Sequence, residues 1–138
     1  MTTPAGCLLC RIVRGELRSD TIVETEHVIG FMNTTEAKSR GHCVFFPKRH
    51  APSLHEADDD ALAEILVLVK RVAVALGIET YNVLQNNGAL AGQTVFHAHR
   101  HLIPKWSESE GLRYERGGQR INQTEISAKI KANLARGV

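Results

Sequence analysis

The 138-residue chain has no apolar run long enough to span a bilayer, which excludes a helical membrane protein. It also has little excess charge. Seventeen Lys and Arg stand against fifteen Asp and Glu, a formal +2 that gives no case for a nucleic-acid or membrane partner. Three cysteines are an odd count and argue against a disulfide framework. The opening residues Met1-Thr2-Thr3-Pro4-Ala5-Gly6 lack the basic-then-apolar pattern of a secretion signal, so we expect a cytoplasmic protein. There is no internal repeat, low-complexity tract or linker. With 43% hydrophobic and 23% charged residues, the chain reads as globular. A single domain over 1–138 is expected, able to bury about two-thirds of its unfolded surface.

What the chain does have is a row of histidines. Phe96-His97-Ala98-His99-Arg100-His101-Leu102-Ile103-Pro104 carries three of the seven, at alternate positions. In a strand, side chains two apart share a face, so His97, His99 and His101 would line one surface. In a helix they would not. Val95, Phe96, Leu102 and Ile103 favour strand, and Pro104 suits its end. Three imidazoles on one face are poor core material, and the row suggests a site. The preceding Asn86-Asn87-Gly88-Ala89-Leu90-Ala91-Gly92-Gln93-Thr94 is turn chemistry. Such a turn can aim backbone N–H groups at an anion, and Thr94 adds a hydroxyl. Together they point to a phosphate ester or anhydride.

Cys7-Leu8-Leu9-Cys10 is the second motif. No βαβ pattern surrounds it to suggest thioredoxin-like redox work. A zinc site would need two further ligands. His50, after Pro47-Lys48-Arg49, is one candidate, and His97 or His101 the other. Cys43 lies in the apolar stretch 41–47 with no basic partner evident and reads as an inert core thiol.

The remaining elements follow from patterning. Residues 7–14 read as a short helix ended by Gly15, and 21–24 with 28–32 as a strand pair. Residues 41–47 and 81–85 are further strands. Residues 57–76 form the clearest helix. Asp58-Asp59-Asp60 complements its N-terminus, and Gly77 stops it. Leu62, Ile65, Leu66, Val69, Val72, Ala73 and Leu76 give it an apolar stripe. Trp106 reads as packing. Asn122-Gln123-Thr124-Glu125 has the form of a helix start, and Ile126, Ile130 and Leu134 recur every four residues. That helix would pack on its own domain or on a partner subunit. Strands cluster without strict alternation, so the fold class is α+β: a five-stranded antiparallel sheet with one long helix and a C-terminal helix.

Asn86-Asn87-Gly88, Gly92-Gln93-Thr94-Val95-Phe96, the His97-x-His99-x-His101 row and Pro104 resemble the histidine-triad (HIT) hydrolases, Hint-like branch. The resemblance covers about 7–106 and leaves 107–138 as an extension. It implies a homodimer and a purine nucleotide substrate. It also implies that His99 is a nucleophile, which its central place in the row independently suggests. His99 would attack the α-phosphorus, form a nucleotidyl-histidine and release a nucleoside monophosphate from a phosphoramidate or dinucleoside polyphosphate. His101 would bind a phosphate oxygen or assist the leaving group. His42 would lie near the triad and support it, or be a satisfied buried histidine. Asn86, Gln93, Thr94 and the Val95 N–H would contact phosphate. Asn33 stands where the family usually has an acid that holds the ribose, and Arg100 where it has an apolar residue. Zinc-bearing relatives imply a structural site of Cys7, Cys10, His50 and His97, with His101 the other option for the fourth ligand. No cofactor is required for the chemistry itself. The competing reading is a non-catalytic nucleotide- or zinc-binding interaction protein on the same scaffold.

Overall fold

A computed structural model describes residues 4–138. The expectation about a leader pattern rests partly on Met1, Thr2 and Thr3, which lie outside the described residues. The element order is helix α1 (Leu8–Val13), strands β1 (Thr21–Glu24), β2 (Val28–Met32) and β3 (Cys43–Pro47), helix α2 (Asp59–Leu76), strands β4 (Tyr81–Leu84) and β5 (Arg100–Pro104), and helix α3 (Thr124–Ala135). The strands form one sheet in the order β1-β2-β3-β5-β4, with every neighbour antiparallel. Among the described residues no helix is long and apolar enough to cross a membrane.

The alternation of side chains gives the sheet two different faces. Val28, Cys43, Phe45 and Leu102 point to α2 and are buried against Ala61, Ile65, Leu68, Val69 and Ala73. Burying such side chains is the main stabilising term, about 1.5–3 kcal/mol for each large one. The stripe on α2 is rotated from the expected one. Ala61 and Leu68 face the sheet, while Leu66 is 54% exposed, because the buried line runs through Ile65 and Ala73. Asp58 does not cap α2 with its side chain. Its carboxylate pairs with Arg49 at 3.2 Å instead.

The opposite face carries Ile29, Phe31, Val44 and Phe46 under α1, whose Leu9 is buried there. His101 pairs across from Val44 and therefore belongs to this face. The expected strand over the histidine row starts only at Arg100. Residues before it leave the ladder because their backbone bonds to a loop: Ala98 N–H donates to Ala51 O at 2.7 Å. Beyond β5, Trp106 packs on the loop before β3, donating Nε1–H to Arg40 O at 2.7 Å. Helix α3 begins at Thr124, where Asn122 Oδ1 accepts from the Thr124 N–H at 3.1 Å. No side chain of α3 is buried.

Candidate active site and metal centre

The segment from His97 to His101 is divided between two sites. On one side, α1 brings Cys7 and Cys10 to His50 and His97. One ligand atom from each of the four lies within 4.8 Å of the others. Cys7 Sγ and Cys10 Sγ are each 3.4 Å from His97 Nδ1. Cys10 Sγ is 3.3 Å from His50 Nδ1, and the two Nδ1 atoms are 3.2 Å apart. A tetrahedral ion with bonds of about 2.0–2.3 Å separates its ligand atoms by roughly 3.3–3.8 Å, so the four residues could hold a metal ion. His97 Nε2–H donates to Pro47 O at 2.6 Å, which leaves Nδ1 with its lone pair directed at the cluster. Burial holds the His97 ring down to about 4, so it stays neutral and able to ligate. Burial, then the neighbouring Cys7, pushes the Cys10 thiol up to about 12, the behaviour of a sulfur that needs a cation beside it to ionise. His101 is not part of this cluster, because its Nδ1 is engaged by His42 at 2.9 Å. Cys43 is buried away from it, its thiol raised to about 11 by desolvation.

On the other side is a cavity of about 190 Å³. It crosses the sheet from β5 over Val44 of β3 to Phe31 of β2, with Leu8 and Leu9 of α1 above. His99 and His101 stand at one end beside Asn86, Gly92, Gln93, Thr94 and Val95. Asn33, Thr35 and Glu36 stand at the other. Hydrogen bonds define the tautomer of each imidazole here. His99 Nδ1 is 2.6 Å from the carbonyl of His97, which can only accept, so Nδ1 carries the proton and Nε2 the lone pair. Lys38 N–H donates to His42 Nδ1 at 3.0 Å, so the His42 proton is on Nε2. That Nε2–H donates to His101 Nδ1 at 2.9 Å, which places the His101 proton on its own Nε2. The rings of His99 and His101 meet edge to face with centroids 5.0 Å apart. Burial, with smaller contributions from neighbouring charge, lowers both His42 and His101 to about 4. Both are therefore neutral near pH 7.

The turn is built by glycine and by Gln93. Gly88 and Gly92 have φ of 89° and 93°, conformations that L side chains rarely adopt. The buried Gln93 amide accepts from Gly88 N–H at 2.7 Å and donates to Pro52 O at 2.7 Å and Val95 O at 3.0 Å. Both amide hydrogens are thus taken, and Gln93 shapes the turn with no donor left for a ligand. Asn86 reaches across it to Gly92 O at 3.5 Å, a long bond. Thr94 is exposed at the cavity wall. Asn33 Oδ1 accepts from the N–H groups of Thr35 (3.3 Å) and Glu36 (3.1 Å).

Sequence reasoning missed Phe31, Val44, Leu8 and Leu9 as cavity walls, and Glu36 altogether. Strand alternation could have found Phe31 and Val44, which share the face of Ile29 and Phe46. Nothing periodic marks Glu36, which lies in a loop. A larger concavity of about 660 Å³ at the start of α2 is lined by residues that pair among themselves, Arg49 with Asp58 for one.

An α+β fold with a His97-x-His99-x-His101 row, of which His99 and His101 stand beside a glycine turn, defines a histidine-triad protein. The HIT domain model matches residues 14–108, and the chain belongs to the HIT family. An adenosine 5'-monophosphoramidase of Schizosaccharomyces pombe is 43% identical over 133 residues, covering 91% of this chain and 99% of that protein. Among solved structures, a histidine triad nucleotide-binding protein from Candida albicans has TM-score 0.87 at 34% identity, covering 96% of this chain and 100% of that one. A hypothetical protein from Leishmania major has TM-score 0.88 at 34% identity, covering 99% and 100%.

Proposed function

We propose that the protein is a nucleotide hydrolase that works through a covalent nucleotidyl-histidine. The observation that carries this is the bond from His99 Nδ1 to the His97 carbonyl at 2.6 Å, which presents an unprotonated Nε2 at the cavity end. Nε2 attacks the α-phosphorus of a nucleoside phosphoramidate or dinucleoside polyphosphate. An N–P bond forms, the bond to the leaving group breaks, and a departing amine takes a proton from water. The positive charge left on the His99 ring is stabilised through Nδ1–H by the His97 carbonyl. His101, neutral, acts as a hydrogen-bond donor to a phosphate oxygen through Nε2–H. His42 acts through His101 by holding that tautomer. Thr94, Asn86 and the Val95 N–H receive the phosphate, and Gln93 holds the turn that presents them. Water then displaces His99 and yields the nucleoside monophosphate. The named activity of the fungal relative, which matches 91% of this chain, supports a purine nucleotide with an amine leaving group.

The four-residue cluster suits zinc, with its two thiols and two imidazoles. Bound there, zinc would crosslink α1 to the active-site segment and would leave the chemistry to His99. We read 4–138 as a single HIT-like domain with 107–138 as its extension. The exposed edge strand β4, with Tyr81 and Val83 outward, is where a second copy would continue the sheet as a homodimer. A cytoplasmic setting accords with three free cysteines, two of them gathered at the metal cluster.

The test is release of AMP from an adenosine phosphoramidate and from a diadenosine polyphosphate, with wild type beside His99→Asn. Release by wild type and loss in a folded variant is expected. Equal release by both proteins would sink the assignment, and a folded wild type that binds nucleotide without turning it over would make the chain a binding protein.

A further inference from the structure

Cys7 and Cys10 belong to one cluster but differ in access. Cys10 is 1% exposed, whereas Cys7 is only partly buried. Cys7 also lines a groove of about 430 Å³, together with His50, Pro4, Pro52 and Phe96. Cys10 does not line it, so a small molecule there meets the Cys7 sulfur first. No acidic side chain stands in the groove to repel an anion. The two sulfurs lie within 4.8 Å of each other, and Cys10 N–H donates to Cys7 Sγ at 3.4 Å, which holds that sulfur over the first turn of α1. The residues between the two cysteines are Leu8 and Leu9, and both are walls of the His99 cavity. The chain segment that carries the sulfurs is thus the segment that shapes the cavity.

We infer that Cys7 and Cys10 form a thiol–disulfide exchange site for a low-molecular-weight disulfide, and that its state sets the affinity of the cavity for nucleotide. This rests on the zinc and nucleotide readings above and adds the link between them. The Cys7 thiolate, reached from the groove, attacks one sulfur of the small disulfide and expels the other as a thiolate, leaving a mixed disulfide. The Cys10 sulfur then attacks Cys7 Sγ, the mixed S–S bond breaks, and the second thiolate departs. Two electrons pass from the two cysteine sulfurs to the small disulfide, which leaves as two thiols after taking two protons from solvent. His50 and His97 alone do not make a four-ligand set, so zinc is released. Helix α1 is then held through Leu9, Ile12 and Val13 against Ile29 and Phe46, without its tie to His50 and His97. Leu8 and Leu9 lose their fixed place over the cavity, and nucleotide binds the oxidised form less tightly. Linkage makes the converse true: bound nucleotide favours the reduced, metal-bound form by the same factor.

The experiment equilibrates the zinc-loaded full chain in graded mixtures of reduced and oxidised glutathione. Free zinc is read with an indicator dye, the disulfide is located by peptide mass mapping, and AMP affinity is measured by calorimetry in both forms. Zinc release equimolar with a Cys7–Cys10 disulfide is expected, reversed by excess thiol and added zinc. The disulfide form should bind AMP about 5- to 100-fold more weakly, the usual range of coupling between two sites. Saturating AMP should shift the zinc-release midpoint toward more oxidising mixtures, and Cys43→Ala should respond as wild type does. A chain that keeps its zinc and both thiols throughout overturns the inference. So does oxidation that maps to Cys43 or halts at the mixed disulfide, and so does a Cys7–Cys10 disulfide that leaves AMP affinity unchanged. A folded chain that takes up no zinc overturns the metal reading beneath the inference. A reduced, zinc-loaded chain that binds no AMP overturns the nucleotide reading, a result distinct from AMP binding that ignores the state of the thiols.

Discussion

His97 and His99 sit two residues apart and share a hydrogen bond, yet their rings face opposite duties. His97 is fully buried, gives Nε2–H to Pro47 O, and turns the Nδ1 lone pair onto two sulfurs and His50. His99 is half-buried, gives Nδ1–H to the His97 carbonyl, and leaves its Nε2 lone pair to the cavity. The difference is which nitrogen a backbone carbonyl captures. One capture suits a ring to a structural metal centre, the other to nucleophilic attack. The two sites are joined by one residue, since the peptide whose ring faces the cluster also supplies the carbonyl that orients His99, the proposed nucleophile. Changes on the cavity side should therefore remove activity and spare stability, and changes on the cluster side should lower both.

The largest expected effect tests the first half. His99→Asn removes the proposed nucleophile, and AMP release should fall by about 10³-fold or more. The melting temperature and the metal content should stay close to wild type. A folded His99→Asn that loses its metal would show that the two sites are not separable. Next comes the cluster. On the proposal that the cluster holds zinc, chelation or Cys10→Ser should cost several kcal/mol of stability and lower the melting temperature by roughly 10 °C or more. Metal stoichiometry by mass spectrometry, read beside calorimetry, checks it. Unchanged melting after complete metal loss would reduce the cluster to buried thiols beside two imidazoles.

A smaller effect is expected from the supporting ring on the cavity side. His42→Phe strips His101 Nδ1 of its donor and leaves Lys38 N–H without its acceptor. The lost bonds should cost about 1–3 kcal/mol, and a misoriented His101 about 100-fold in kcat. The pH dependence has a definite sign. His42 titrates near 4 in the fold because burial disfavours its charge, and an unfolded histidine titrates near 6.5. Between those values the unfolded chain binds more protons. Stability should therefore fall as pH drops from 6.5 to 4, by up to about 1.4 kcal/mol per pH unit for this one group. His42→Phe should flatten that slope in urea titrations.

Much of this was legible before any coordinates. The apolar runs at 28–32 and 41–47 placed the strands, which are covered on both faces, and the apolar spacing of 57–76 placed α2, whose signal comes from burial on one face. The four metal-cluster residues could be written down from Cys-x-x-Cys and the Pro-x-x-His spacing with the family resemblance. The split between His97 and the other two imidazoles could not be read from the residues alone. Period-2 reasoning put all three in one strand, whereas Ala98 N–H bonds to a loop and ends the ladder at Arg100. The family resemblance implies Gln93 as a phosphate contact, and only the geometry reveals that both its amide hydrogens are already used. Glu36 was invisible for the same reason: a loop carries no periodicity from which to infer direction.

The smallest expected effect belongs to the tail. Ile126, Ile130 and Leu134 line one side of α3, but they are 54%, 52% and 67% exposed, and no side chain of the helix is buried. The hydrogen bonds at its ends run to residues within the tail itself, Asn122 to Thr124 and Asn133 to Arg136. Burial is what makes an apolar residue stabilising, so these isoleucines contribute little to the isolated chain. Deleting residues 122–138 should change stability by no more than about 0.5 kcal/mol, roughly 2 °C in melting temperature for a chain of this size. Cavity and cluster should keep their separate signatures in the truncated protein. A large loss of activity with unchanged monomer melting would break the comparison in an informative way. It would mean that the tail reaches the cavity of a second copy, and that the His99 side is completed by a chain other than its own.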